Sequence, residues 1–257
     1  MLQLRHVRLR VADLARSLDF YAGRIGLHPV RESSGSVGLA AAVDGPELLA
    51  LVEDRGAEPA PRDAAGLFHA AMLLPGRAAL GRWLRQAADA GVAFDGFSDH
   101  GVSEAIYLAD PDGNGLEFYA DRPSDAWPRR GDEIAMSTEA LNLPDLLAAG
   151  ARPSDGGVLA GARWGHLHLR VTELERSEAF YRDALGMAVT QRSYPGARFL
   201  AADGYHHHLG LNTWGHPRRP QPAGSLGLVD ATFTRADTAA EKSLVDPDGI
   251  RVRLGPA

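Results

Sequence analysis

Polar and apolar residues alternate from position 6 to 11. Val7, Leu9 and Val11 fall on one side of an extended segment, and His6, Arg8 and Arg10 on the other. A period of two marks a strand with one buried face. The same alternation returns at 99–121, "DHGVSEAIYLADPDGNGLEFYAD". Ile106 and Leu108 precede the turn Asp110-Pro111-Asp112-Gly113, and Leu116 and Phe118 follow it. Pro pre-sets one φ angle and Gly takes a positive one, so these residues predict a β-hairpin. Its other face carries Tyr107 and Glu117, with His100 just upstream.

The pattern repeats. "HVRLRVADLARSLDFYAGRIGLHPV" (6–30) and "HLHLRVTELERSEAFYRDALGMAVT" (166–190) are identical at ten of twenty-five positions, both His included. Each copy reads as a strand followed by an amphipathic helix. In the second copy Thr172 and Glu175 predict a capping box, Leu174, Phe180-Tyr181 and Leu185 form the apolar stripe, and Gly186 ends it. Gly26 ends the first. A fainter copy opens at "FHAAMLLP" (68–75), where His69 follows His6 by 63 residues. Counting 64 on from His166 reaches Asp230, and "DPDGIRVRL" closes that stretch as "DPDGNGLEF" closes the second. The expectation is an α+β chain of four strand-helix-strands modules, paired as βαβββ units in two domains, 1–121 and 161–257. A Pro-, Gly- and charge-rich linker, 122–160, joins them and carries one short helix near Leu146. The fourth module is truncated: only 16 residues separate Asp230 from Asp246, where 41 separate His69 from Asp110.

Composition narrows the function. A net charge of −6 and a pI near 5.9 give no footprint for nucleic acid, and no basic amphipathic stretch argues for a membrane surface. The absence of cysteine excludes disulfides, thiolate metal sites and Cys nucleophiles. The opening residues are too charged for a signal peptide, so a cytoplasmic protein is expected; a homo-oligomer is left open.

His6 and His69 occupy the same place in two opening strands, and Glu117 ends the second module. Two imidazoles and a carboxylate form a facial ligand set suited to Fe(II), Mn(II) or Zn(II). In the second half His166 remains, but Asp230 replaces the second His and Arg253 falls where Glu117 does. Arg only donates hydrogen bonds, so that half is expected to be metal-free. On a strand His206 and His208 would share one face and His207 the other. They are read as a strand end tied by hydrogen bonds between domains, ahead of a polar lining or a second metal site with His166.

The repeated H-x-x-L-x-V-x-[DE]-L-x-R-S-x-x-F-Y resembles the vicinal oxygen chelate superfamily of glyoxalases, bleomycin-resistance proteins and type I extradiol dioxygenases. His100-x5-Ile106-Tyr107-x2-Asp110-Pro111-x-Gly113-x3-Glu117 resembles the extradiol dioxygenase signature, departing from it at Ser98. The resemblance implies an Fe(II) enzyme, with Mn(II) as a second candidate, that cleaves a catecholic substrate with O2. It makes His6, His69 and Glu117 the metal ligands and His100 and Tyr107 the groups that handle catechol protons. Glyoxalase-type sites in this superfamily use a fourth ligand from the last strand of the first module, where this chain has Ala50. A glyoxalase-like lyase or epimerase and a non-catalytic small-molecule binder are the alternatives.

Overall fold

A computed structural model of the chain describes residues 1–152 and 157–257. The first module contains β1 (Leu2–Val11), α1 (Leu14–Leu18) continuing into a wider helical turn over Asp19–Ile25, β2 (His28–Ser33), β3 (Ser36–Ala40) and β4 (Leu49–Glu53). The second contains β5 (Gly66–Leu73), α2 (Arg77–Asp89), β6 (Gly96–Asp99), β7 (Ser103–Ala109) and β8 (Gly115–Asp121). A connecting segment holds the short strands β9 (Arg129–Arg130), β10 (Glu133–Ile134) and β11 (Glu139–Ala140), then α3 (Leu143–Ala149). The third module has β12 (Arg163–Arg170), α4 (Leu174–Leu185), β13 (Ala188–Gln191), β14 (Ala197–Ala201) and β15 (Leu209–Asn212). The fourth is only β16 (Gly227–Arg235), β17 (Lys242–Val245) and β18 (Arg251–Gly255), so its helix is missing as the spacing requires.

The sheets do not follow the halves of the chain. One sheet has the order β17-β18-β16-β1-β4-β3-β2, the other β11-β6-β7-β8-β5-β12-β15-β14-β13. Modules one and four therefore share a sheet, as do two and three, through the antiparallel pairs β1–β16 and β5–β12. The expected division into 1–121 and 161–257 describes the repeat, whereas each sheet draws on both segments. What ties module one to two, and three to four, is a repeated buried hydrogen bond. Tyr21 donates to Asp110 at 2.9 Å, and Tyr181 donates to Asp246 at 2.9 Å. Each aspartate opens a DPDG turn, so the Phe-Tyr pair of one module caps the hairpin turn of the next. Burial pushes both carboxyls above their usual range, and the tyrosine O–H bonds oppose that rise.

Helix α2 buries Leu80, Trp83, Leu84 and Ala87, and Trp83 stacks on Phe118 with centroids 3.8 Å apart. That contact fixes the outer face of β8 and leaves its other face for the site. The predicted Thr172–Glu175 capping box does not form. Glu173 is the extended N-cap residue, while the Thr172 backbone N–H and hydroxyl both donate to Asp248 of the fourth-module turn. Gly26 and Gly186 end their helices in the left-handed conformation, with φ of 96° and 64°.

Candidate metal centre

Three adjacent strands bring His69, Glu117 and His166 together. In the β5–β8 pairing Glu117 lies beside Ala71, and in the β5–β12 pairing Ala71 lies opposite His166. His69 is two residues from Ala71 and so points to the same face. The small Ala71 side chain leaves the space over which the three groups converge. His69 Nε2 is 3.0 Å, and His166 Nε2 3.2 Å, from the same carboxylate oxygen of Glu117. All three residues are buried, and their ligand atoms lie within 4.8 Å of one another.

This arrangement fits a divalent ion. Donors bound at right angles about 2.1 Å from a shared ion lie roughly 3.0 Å apart. His69 Nε2 makes no hydrogen bond despite its proximity to Glu117, because the two atoms converge on a common point instead of aligning donor to acceptor. A buried polar atom left this way is costly, and a cation bound between the groups would satisfy it. Burial raises the Glu117 pKa, but His166 and His69 more than offset this and hold the carboxyl well below its usual range. Burial in turn lowers His166 to about 4, so the imidazole stays neutral near pH 7, as a ligand must.

Sequence expectation and structure part at His6. This residue lies on β1 in the other sheet, where its Nε2 meets Glu47 at 2.9 Å. The structure brings His69 and Glu117 together as expected, with His166 in the place assigned to His6. The constellation is therefore not confined to the N-terminal half. The correction follows from strand pairing: His6 and His166 are equivalent in the repeat, and only β12 lies beside β5.

Tyr107 is directly opposite Glu117 in the β7–β8 hairpin, as the turn predicted. His100 Nδ1 donates to the carbonyl of Ser137 at 2.6 Å, since a carbonyl can only accept. That leaves Nε2 of the neutral ring to accept the Tyr107 hydroxyl proton at 2.6 Å. Burial, with the Glu117 carboxylate nearby, pushes the Tyr107 phenol well above its usual range. Ser137 belongs to the connecting segment, which β11 zips onto β6. The stretch read as a linker thus orients the histidine and forms part of the cavity wall.

The cavity, of about 250 Å³, opens over the three donors and is lined by Phe68, His100, Tyr107, His168, His207 and Trp214 among others. His168, opposite His69 on β12, reaches it because its neighbour on β15 is Gly210; a Cβ there would meet the His168 ring at 2.8 Å. The three consecutive histidines precede β15 in a loop and not on a strand. Asp203 and Gly204, with φ of 58° and 76°, turn the chain just before them. His206 bonds Asp121 at 2.8 Å across the two halves, the kind of bond expected of all three, whereas His208 Nδ1 accepts the Ala202 N–H within its own half. His207 instead lines the cavity, its ring 4.0 Å from that of His166.

Fold and site together define a class. The sequence profile of the Glyoxalase/Bleomycin resistance protein/Dioxygenase superfamily matches residues 3–118 and 163–253, and the chain belongs to that superfamily. It is 40% identical over 229 residues to the catechol-2,3-dioxygenase of Bacillus subtilis (strain 168), a match covering 87% of this chain and 79% of the relative. Glyoxalase I of Zea mays superposes with a TM-score of 0.60 at 18% identity, over 100% of this chain and 92% of the maize chain. A solved protein of Bacillus subtilis superposes with a TM-score of 0.66 at 11% identity, over 99% and 84% of the two chains. These two structures share the fold. Among the described residues no helix is long and apolar enough to cross a membrane.

Proposed function

We propose that the protein is an Fe(II)-dependent extradiol dioxygenase that opens the ring of a catechol with O2, with His69, Glu117 and His166 as the metal ligands. The observation that carries this reading is a three-donor set with its open side facing a cavity that also holds the His100–Tyr107 pair. Two imidazoles and one carboxylate leave the remaining coordination positions for ligands from outside the protein. Bound there, Fe(II) supplies one-electron chemistry between a catecholate and dioxygen; Mn(II), with similar ligand preferences, is the second candidate.

The protein's own residues position substrate and handle protons. A catechol loses protons when it chelates a cation, and the Nε2 lone pair of His100 is available to receive one. Tyr107 holds its hydroxyl at the same place, ready to donate to a catecholate oxygen. The Ser137 carbonyl keeps His100 in the tautomer with its lone pair on Nε2, the atom that the Tyr107 hydroxyl meets in the resting site. The similarity to the Bacillus catechol-2,3-dioxygenase supports the same substrate class. A glyoxalase-type reading lacks its fourth ligand: Gly210 holds the β15 place that Ala50 holds on β4. Anaerobic loading with Fe(II), then catechol and air, is expected to give a yellow ring-opened semialdehyde acid. Iron-loaded protein that leaves every catechol tested intact would refute the proposal.

A further inference from the structure

Phe68 and His69 are consecutive on β5, yet both line the cavity, which a regular strand does not allow. The register against β12 explains it. His69 pairs with His168 and Leu67 with Leu169, leaving Phe68 as the extra residue of a β-bulge, a device that re-aims a side chain. Gly115 on the next strand accommodates the bulge, for a Cβ there would stand 2.0 Å from the Phe68 carbonyl oxygen. The other sheet has the same bulge with Val229 in Phe68's place, so the distortion belongs to the fold and the aromatic ring to this site.

The ring is 37% exposed, unlike almost every other large apolar side chain here. Its centroid lies 5.2 Å from that of His168 and 5.5 Å from that of Trp214. His168 is buried and its Nε2 has no partner. None of the described residues lining the cavity is Lys or Arg, and Glu117 is their sole carboxylate. At about 250 Å³ the space fits one substituted ring, below the ~300–1,000 Å³ of most ligand pockets.

We propose that Phe68, His168 and Trp214 form the specificity wall of this cavity. Within the dioxygenase reading, on which this rests, they select catechols carrying an uncharged, apolar substituent over those carrying a carboxylate. A carboxylate entering beside these rings would leave its hydration behind and meet no guanidinium or ammonium. Of these three side chains only His168 carries an orphan atom, and its Nε2 offers a single hydrogen bond, enough for a hydroxyl or ether oxygen but not for both oxygens of an anion.

The test compares 4-methylcatechol with 3,4-dihydroxybenzoate, where a methyl group stands against a carboxylate. Each is titrated calorimetrically into the full-length, Fe(II)-loaded protein without O2, so that binding is read apart from turnover. The methyl compound is expected to bind about tenfold tighter or better, the scale on which a pocket rejects a poorly matched group. Phe68→Arg is expected to shift the ratio toward the carboxylate by at least about tenfold, through a charge-assisted bond. Trp214→Lys is a second variant of the same kind, and circular dichroism checks that both fold. Equal affinity of the two compounds for the wild type, or an unchanged ratio in both folded variants, overturns the proposal alone. If neither compound binds the iron-loaded protein, the dioxygenase reading falls and this proposal with it.

Discussion

His166 on β12 and His6 on β1 hold the same position in their modules, and each faces an opening strand from another module. Around His166 the neighbours are His69 and Glu117, and the ligand atoms of the three lie within 4.8 Å of one another. Around His6 they are Asp230, in the place of His69, and Arg253, in the place of Glu117, with 3.3 Å between them. Arg8 also approaches Asp230 at 3.5 Å. Arg31 grips Glu47, the partner of His6, with two bonds of 2.7 and 2.9 Å, and that contact leads in holding the Glu47 carboxyl below its usual range. One sheet thus gathers two imidazoles and a carboxylate at a shared point; the other puts a guanidinium, Arg253, at one of the three positions, already paired to the Asp230 carboxylate at another. Ion pairs complete the second cluster from within the chain, whereas His69 Nε2 in the first is left without a partner.

The largest effect that would break this contrast is on metal content. Glu117→Gln removes the only anionic donor and is expected to abolish iron retention, whereas Arg253→Ala leaves iron per chain unchanged. Elemental analysis after anaerobic loading and desalting reads both; iron lost from the Arg253 variant would mean the second cluster contributes to the site. Next in size is the rate. His100→Ala should keep the metal but slow ring cleavage by ~10²–10⁴-fold, the scale of a lost general acid or base. Tyr107→Phe should cost less, roughly 1.5–3 kcal/mol if its bond is to an ionised oxygen. Steady-state kinetics at saturating O2 separate the two, and equal losses would contradict the division of roles.

The sheets should also differ in acid. His208 stands where the other sheet has Leu48, and burial lowers its pKa from 6.5 to about 4. The unfolded chain therefore takes up a proton there that the folded protein refuses. Stability is full above about pH 6.5 and falls as pH drops toward 4, by up to about 3 kcal/mol. Denaturant titrations of metal-free protein at pH 7 and pH 5 should show this loss, reduced in His208→Gln; an identical loss in the variant would assign it elsewhere. The smallest effect belongs to the paired turn locks. Tyr21→Phe and Tyr181→Phe should each cost roughly 1.5 kcal/mol, since both remove a buried bond to an aspartate. Markedly unequal costs would show that the two halves are not tied alike.

Much of this was legible in the chain. Alternation and turn chemistry gave the hairpin in register, so Tyr107 faces Glu117, and the repeat gave the equivalence of Arg253 with Glu117 and the missing fourth helix. Strand partnership was not legible. Ladder hydrogen bonds are made by backbone and are the same for any sequence, so alternation fixes which face a strand buries but not which strand lies beside it. His6 and His166 satisfied the repeat equally well. A clue lay in their surroundings, since Arg8 follows His6 where His168 follows His166, and a guanidinium belongs beside a carboxylate such as Asp230 more readily than over a largely apolar cavity. The bulge at Phe68 left no mark in the apolar pattern. Nor did the pattern show that Ser137, in a segment read as a linker, would fix the His100 tautomer.

The central claim is that the ion is held across the two halves by His69, Glu117 and His166. Iron per chain in His166→Ala and His6→Ala, both loaded anaerobically beside the wild type, tests it most directly. The expected result is one iron in the wild type, one in His6→Ala, and a loss in His166→Ala as deep as in His69→Ala. Iron lost from His6→Ala and kept by His166→Ala would contradict it.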